Sequence, residues 1–219
     1  MELVTQSWRF ISASVPYDGT DESLQTATIG DIVRLLEIAG RTCYKSEDKI
    51  TPDSAERFVK MLIERGHHAM IEHAFIGAKM ITDRGVTHEI VRHRISSYAQ
   101  ESTRYCNYGK IGIKFILPVD FTLDEIDLQF LALCEAQYDR CLSIGRIPGQ
   151  ARYFLPNGLK TEIIMSCNVR EWLHFFSLRA DVAAHAQMRA LASSMLVDFA
   201  AKLPALFKGM AEKKGLIKS

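Results

Sequence analysis

Apolar side chains recur along this chain in two rhythms, and the rhythm assigns most of its elements. Ile32, Leu35, Leu36 and Ala39 return at intervals of three and four, which gathers them on one face of a helix over residues 30–41. Ala55, Phe58, Val59 and Leu62 repeat that spacing; Thr51 is the expected N-cap, Pro52 the first helical position and Gly66 the stop, giving a helix over 51–65. "VTHEIVRHR", 86–94, keeps helical spacing before the chain turns serine-rich. The clearest helix is expected to open at a capping box of Thr122 and Glu125 and to end before Gly145 and Pro148. A helical pattern then runs from Arg170 to about Ala201, with an interruption near Asp181. Shorter apolar runs at 1–14, 74–82, 111–118 and 160–167 read as strands. Residues 83–85 turn the chain, "GTDES" at 19–23 is an expected turn or loop, and the basic tail from Lys208 is expected to fray.

The strands are not followed by a regular series of crossover helices, which argues against a doubly wound parallel sheet. The expectation is one α+β domain over residues 1–219, with a mainly antiparallel sheet packed against long helices. No internal repeat, low-complexity segment or linker divides the chain. It also lacks G-x-G-x-x-G and G-x-x-x-x-G-K-[ST], so any dinucleotide binds without a standard glycine-rich cradle.

Composition narrows the function classes. Hydrophobic residues make up 47% and charged residues 24%, the balance of a soluble globular protein, and no apolar run reaches the ~20 residues that span a bilayer. The net charge of +1 is too small for a dedicated nucleic-acid binder. Five cysteines, an odd number without C-x-x-C, exclude a disulfide framework and a zinc ribbon, and no metal is expected. The first ten residues lack the pattern of a secretory leader; the expected compartment is the reducing cytoplasm.

Against that neutral background one stretch stands out. "RHRISSYAQESTRY", 92–105, sets Arg92, Arg94 and Arg104 among Ser96, Ser97, Ser102 and Thr103, with Glu101 as the single acid. Guanidinium offers a planar fork of donors that matches phosphate, and hydroxyls add donors that adjust. A solvated helix face is the plain alternative. The chemistry of the cluster suits a small anion such as a nucleotide.

"RHRISSYAQES" is Arg-His-Arg, seven residues, then Ser, and it closely resembles the signature of flavin-dependent thymidylate synthases. "GHHAMIEH" at 66–73, "QARYFLP" at 150–156 and "NVREWLHFFSLRAD" at 168–181, followed by "HAQMR", resemble further segments of that family in family order. The resemblance implies an α+β fold and a homotetramer with sites shared between subunits. It implies methylation of dUMP to dTMP, with methylenetetrahydrofolate giving the one-carbon unit, FAD carrying the hydride and NADPH reducing the flavin. None of the cysteines follows a proline, the context of the nucleophile in classical thymidylate synthases.

Residue by residue, the resemblance assigns Glu89, Arg92, Gln100, Ser102, Thr103, Arg104, Arg152 and Arg179 to dUMP, with Arg179 as the active-site arginine. It assigns Arg92, His93, Arg94, Gln100, Asn168, Arg170 and His174 to FAD, and His67 to the flavin and folate region. Plain roles stand beside these. Asn168 is placed to cap a helix, His174 sits among aromatic residues, Arg152 can pair with an acid, and Glu72 either orients His67 or is exposed. The chain departs from the family's usual pattern at Glu89, where Gln is common, and at Ala69, where Ser or Thr is common. Gln100 stands where Glu is frequent, and His174 where Asn is frequent. A flavin oxidase or reductase on the same scaffold and an Arg-rich single-stranded nucleic-acid module are the competing expectations.

Overall fold

The computed structural model describes residues 1–218. Along the chain come strands β1 (Glu2–Val4) and β2 (Ser7–Ala13), and helices α1 (Asp21–Thr26), α2 (Ile32–Tyr44) and α3 (Ser54–Glu64). Strand β3 (Phe75–Asp83), helix α4 (Arg84–Ile90), strand β4 (Ser97–Gln100), helix α5 (Tyr108–Ile111) and strand β5 (Lys114–Ile116) follow. The remainder is α6 (Glu125–Ser143), α7 (Pro148–Ala151), β6 (Lys160–Asn168), α8 (Val169–Arg179), α9 (Ala186–Lys202) and α10 (Pro204–Lys213). No described helix is long and apolar enough to cross a membrane.

Four strands form a sheet in the order β2-β3-β6-β4. The end of β2 meets the start of β3 through Ser14 N–H to Phe75 C=O at 2.8 Å, and the end of β6 meets the start of β3 through Val169 N–H to Ala74 C=O at 2.9 Å. Both pairings are therefore antiparallel. The separate β1–β5 pair is parallel, with Leu3 opposite Phe115.

The chain packs as two compact units. The first comprises Met1–Arg9 and Lys79–Met165. Its core gathers Tyr108, Ile113, Phe115, Tyr138, Cys141, Ala151 and Leu159. Only Cys134, Tyr138 and Cys141 of α6 are buried, so this helix offers a narrow stripe to that core. The second unit comprises Phe10–Ala78 and the chain from Ser166 onward. Trp172, Phe175, Phe176, Phe199 and Phe207 are fully buried there; Trp172 stacks on Phe176, the other ring pairs meet edge-on or tilted, and the Trp172 and Phe199 centroids lie 5.1 Å apart. The indole N–H of Trp172 is satisfied by Ile76 C=O at 3.0 Å, as a buried donor requires. The Phe10 and Phe199 rings meet tilted, with centroids 4.6 Å apart, which seats α9 on β2.

Helices α2 and α3 pack where Gly40 has no side chain; a β-carbon there would come within 2.5 Å of the Phe58 ring. Glu37 is 2% exposed. Its carboxylate takes two donors from Arg41, at 3.0 and 3.1 Å, and one from Ser54 Oγ at 2.8 Å. A buried charge needs such partners.

The buried face expected for α3 is the one observed, but its start is not. Thr51 and Pro52 precede the helix and Asp53 takes the N-cap position. Likewise α6 is capped by Asp124, whose Oδ1 accepts from Asp127 N–H at 2.9 Å, two residues beyond the expected Thr122. In both places several capping residues crowd together, and packing chooses among them. "GTDES" is not a loop: Thr20 caps α1. The tail does not fray from Lys208, because Leu206, Phe207 and Ala211 bury one side of α10. The interruption near Asp181 separates α8 from α9.

Candidate active site

In the first unit, Asp83 ends β3 and turns the chain into α4 by accepting from Val86 N–H at 2.7 Å. The helix stops at Ile90, and the Arg-His-Arg segment leaves it in turns. Tyr98 braces those turns, its single hydroxyl proton shared between Ile90 C=O at 2.8 Å and His93 C=O at 2.7 Å. His93 is 4% exposed, while Arg92 and Arg94 on either side point outward. The serine-rich stretch that follows α4 contributes β4.

Beyond β4 the backbone curls. Ser102 C=O accepts from Tyr105 N–H at 3.1 Å and Cys106 N–H at 2.9 Å, and Ser102 Oγ accepts from Arg104 N–H at 3.3 Å. Thr103 is 4% exposed. Its hydroxyl accepts from Arg152 Nη1 at 3.0 Å, so Arg152 pairs with a hydroxyl rather than an acid. Gly149 of α7 lies against Arg104, since a β-carbon on it would sit 3.8 Å from Arg104 Cα. The two blocks at 92–104 and 150–156 thus converge in one place. Among the described residues no carboxylate stands within ion-pair distance of Arg92, Arg94 or Arg104, all of them exposed.

Gln100 is fixed from inside the unit. Its Nε2 donates to Thr87 Oγ1 at 2.9 Å and Thr161 Oγ1 at 3.4 Å. Thr87 in turn donates its own proton to Arg84 C=O at 2.9 Å, so toward Gln100 it must accept. Glu101 faces elsewhere: Tyr108 Oη–H donates to it at 2.7 Å and Lys160 Nζ lies 3.2 Å away. Burial, then the bond to Glu101, pushes the Tyr108 phenol well above its ordinary value, so it stays a donor. Thr87, Thr161, Tyr108 and Lys160 were not legible as site residues; only their partners in the folded chain reveal them.

The second unit carries the other assigned residues. Asn168 spends its side-chain oxygen on the cap of α8, accepting from Glu171 N–H at 2.9 Å, which leaves its NH2 as the group able to donate outward. Arg170, exposed one residue later, pairs with Glu72. Glu72 therefore does not orient His67. That role falls to Tyr44, whose hydroxyl lies 2.7 Å from His67 Nδ1 with the rings stacked. His174 is exposed rather than buried among its aromatic neighbours. Arg179 closes α8, nine positions after Arg170 and on the opposite side of an unbroken helix, about 180° around.

Within the first unit the exposed forks of Arg92 and Arg94, without acidic partners among the described residues, suit an anionic phosphate. All five cysteines are free; Cys134, Cys141 and Cys167 are buried, and exposed Cys43 places its sulfur 3.5 Å from Met70 Sδ.

Comparison with known proteins agrees with this chemistry. The family model described as "Thymidylate synthase complementing protein" matches residues 26–205. The chain is 32% identical over 185 residues to the flavin-dependent thymidylate synthase of Geobacter sulfurreducens, covering 79% of each chain. It is 34% identical over 193 residues to that of Mycobacterium marinum and 32% identical over 196 residues to that of Mycobacterium tuberculosis strain H37Ra, in each case 79% of this chain and 77% of the relative.

Proposed function

The chain belongs to the flavin-dependent thymidylate synthase family, and from that membership we propose that it makes dTMP by reductive methylation of dUMP. FAD is the hydride carrier, NADPH the reductant and methylenetetrahydrofolate the one-carbon donor in this proposal. The observation that carries it is the convergence of Arg104 and the Arg152–Thr103 pair into a loop rich in hydroxyls and free of opposing acids. Such a loop suits the dUMP phosphate, held by Ser102 Oγ and the Arg104 guanidinium.

Gln100, clamped between two threonines, orients the backbone that leads into this loop. Arg179, as a cation beside the pyrimidine, would stabilise negative charge on the ring and make its carbon more nucleophilic. Arg92, His93, Arg94, Asn168, Arg170 and His174 would hold the FAD, and His67, fixed by Tyr44, would border the flavin and folate. When bound, the flavin supplies the hydride; the protein binds, orients and sets charge. Cys134, Cys141 and Cys167 are buried, and none of the five cysteines follows a proline, so activation of the ring is assigned in this proposal to arginine rather than to a covalent cysteine adduct. Glu89 stands where the family commonly has Gln; a carboxylate oxygen accepts rather than donates, so Glu89 would meet a donor group of dUMP rather than its phosphate.

Four subunits are expected to assemble, with sites shared between chains in the cytoplasm. No nucleic-acid or membrane partner is invoked. Tritium release from dUMP labelled on the reacting carbon tests the proposal. Release should accompany dTMP formation and require FAD, NADPH and methylenetetrahydrofolate together. A yellow, folded protein that oxidises NADPH without releasing tritium would instead be a flavin oxidase or reductase.

A further inference from the structure

One face of the sheet in the first unit carries a charged ladder across three neighbouring strands. Strand order places β6 between β3 and β4. Lys79 on β3 pairs with Glu162 on β6. Glu162 also accepts from Lys160 at 2.5 Å, two residues back on the same face. Lys160 then reaches Glu101 at 3.2 Å, just past the end of β4. Glu101 ends the ladder on Tyr108, which is 4% exposed and edge-on to Tyr138 in the core. Two lysines and two glutamates make the ladder electrically neutral.

This ladder is not surface decoration. Lys160 and Glu101 are only 18% and 14% exposed. Burial by itself would lower the Lys160 pKa, but hydrogen bonds and charge from Glu162 and Glu101 outweigh it and hold the ammonium above its ordinary value. Hydrogen bonds from Lys160 and then Lys79 hold the Glu162 carboxyl below its ordinary value.

Its position matters more. Along extended backbone, successive side chains alternate faces, so Glu101 points away from Gln100 and Ser102. Glu101 N–H donates to Glu162 C=O at 2.9 Å, extending the strand pairing by one residue into the loop. The loop that begins with Ser102 is therefore fastened from behind by Glu101, while Gln100 is fastened from the front. We propose that Glu101 and Lys160 are positioning residues of the nucleotide site: they anchor the Ser102–Arg104 loop from the opposite face and cancel the carboxylate charge that would otherwise oppose a bound phosphate.

The inference rests on the dUMP reading of that loop, and the test separates the two. Binding of dUMP and of uncharged deoxyuridine is measured by calorimetry on FAD-loaded wild type, Lys160→Met, Lys160→Arg and the double variant Lys160→Met, Glu101→Gln. Lys160→Met leaves two carboxylates against one lysine. It should weaken dUMP about five- to tenfold, the range of a partly screened charge combined with a loosened loop. Deoxyuridine should lose less than about twofold by the same reasoning, because it carries no phosphate. In steady state the KM for dUMP should rise while kcat holds. Lys160→Arg should restore most of the affinity, whereas the double variant, which restores neutrality but not the Lys160–Glu101 anchor, should restore only part of it. Wild type that binds FAD but not dUMP would sink the functional reading. Wild type that binds dUMP while Lys160→Met matches it, or loses deoxyuridine equally, would overturn the inference. Should Lys160→Met not fold, Glu101→Gln decides on the same ligands: unchanged affinity and KM for dUMP would overturn the inference.

Discussion

Replacing Gln100 with Glu is a one-atom change whose cost follows from the protons around it. The amide NH2 of Gln100 feeds Thr87 Oγ1 at 2.9 Å and Thr161 Oγ1 at 3.4 Å, and both threonines are fully buried. Thr87 has one proton, committed to Arg84 C=O at 2.9 Å. A carboxylate oxygen in place of the NH2 faces the Thr87 lone pairs at 2.9 Å, and only the more distant Thr161 hydroxyl, 3.4 Å away, can turn a proton toward it. Either Thr87 swings its proton to the carboxylate and strands the Arg84 carbonyl, or both oxygens face one another unsatisfied. Losing one hydrogen bond and leaving one buried acceptor unpaired sums to about 2–3 kcal/mol. For a chain of this size that lowers Tm by about 5–10 °C.

The sign of the pH dependence is specific. A protonated carboxyl can donate to Thr87 and recover one of the two bonds, so folding raises the new group's pKa above the ordinary ~4.3. The folded variant then binds more protons than the unfolded one, and stability falls as pH rises through the raised value. Paired thermal melts of wild type and Gln100→Glu at about pH 5 and pH 8 should show the gap widening at the higher pH. A gap of equal size at both, or a variant as stable as wild type at pH 8, would refute the proton assignment around Thr87.

Other outcomes are expected. Arg104→Ala should weaken dUMP about ten- to a hundredfold, the loss of a charge-assisted contact worth about 1.5–3 kcal/mol, with FAD binding nearly unchanged by titration. A variant with all five cysteines replaced by Ala or Ser should still form dTMP when folded; loss of turnover with dUMP and FAD still bound would make a thiol catalytic. Gly77→Val should cost about 1–3 kcal/mol in denaturant unfolding, because a β-carbon there overlaps Ser12 Oγ and stands 3.0 Å from Ser166 Oγ on the flanking strands. Subunit exchange between an Arg179→Ala variant and an Arg170→Ala, His174→Ala variant should restore part of the activity. The two groups project from opposite sides of α8 and are proposed to serve different sites; exchange confirmed by mass with no recovery would assign both to one chain's site.

What the sequence determined by itself was local. The buried face of α3 was legible because Ala55, Phe58, Val59 and Leu62 repeat at helical spacing, and that geometry belongs to the segment alone. The Arg-rich stretch was legible because a net charge of +1 makes a local concentration of guanidinium conspicuous. Caps were legible as a kind but not as a position: Thr122 and Asp124 both offer an oxygen, and only the packing of α6 selects Asp124. Strand β4 was hidden because "SSYAQ" lacks an apolar alternation; the neighbouring β6 makes it a strand by supplying partners. The tail likewise becomes a helix because residues far back in the chain cover Leu206 and Phe207. The tertiary structure alone decided which charge meets which. Nothing in the sequence pairs Lys79, Lys160, Glu162 and Glu101, and they become one ladder only because strand order and register set β3, β6 and β4 side by side. Pairing energy falls off within a few ångströms, so a contact between residues 59 apart exists only after the sheet has brought them together.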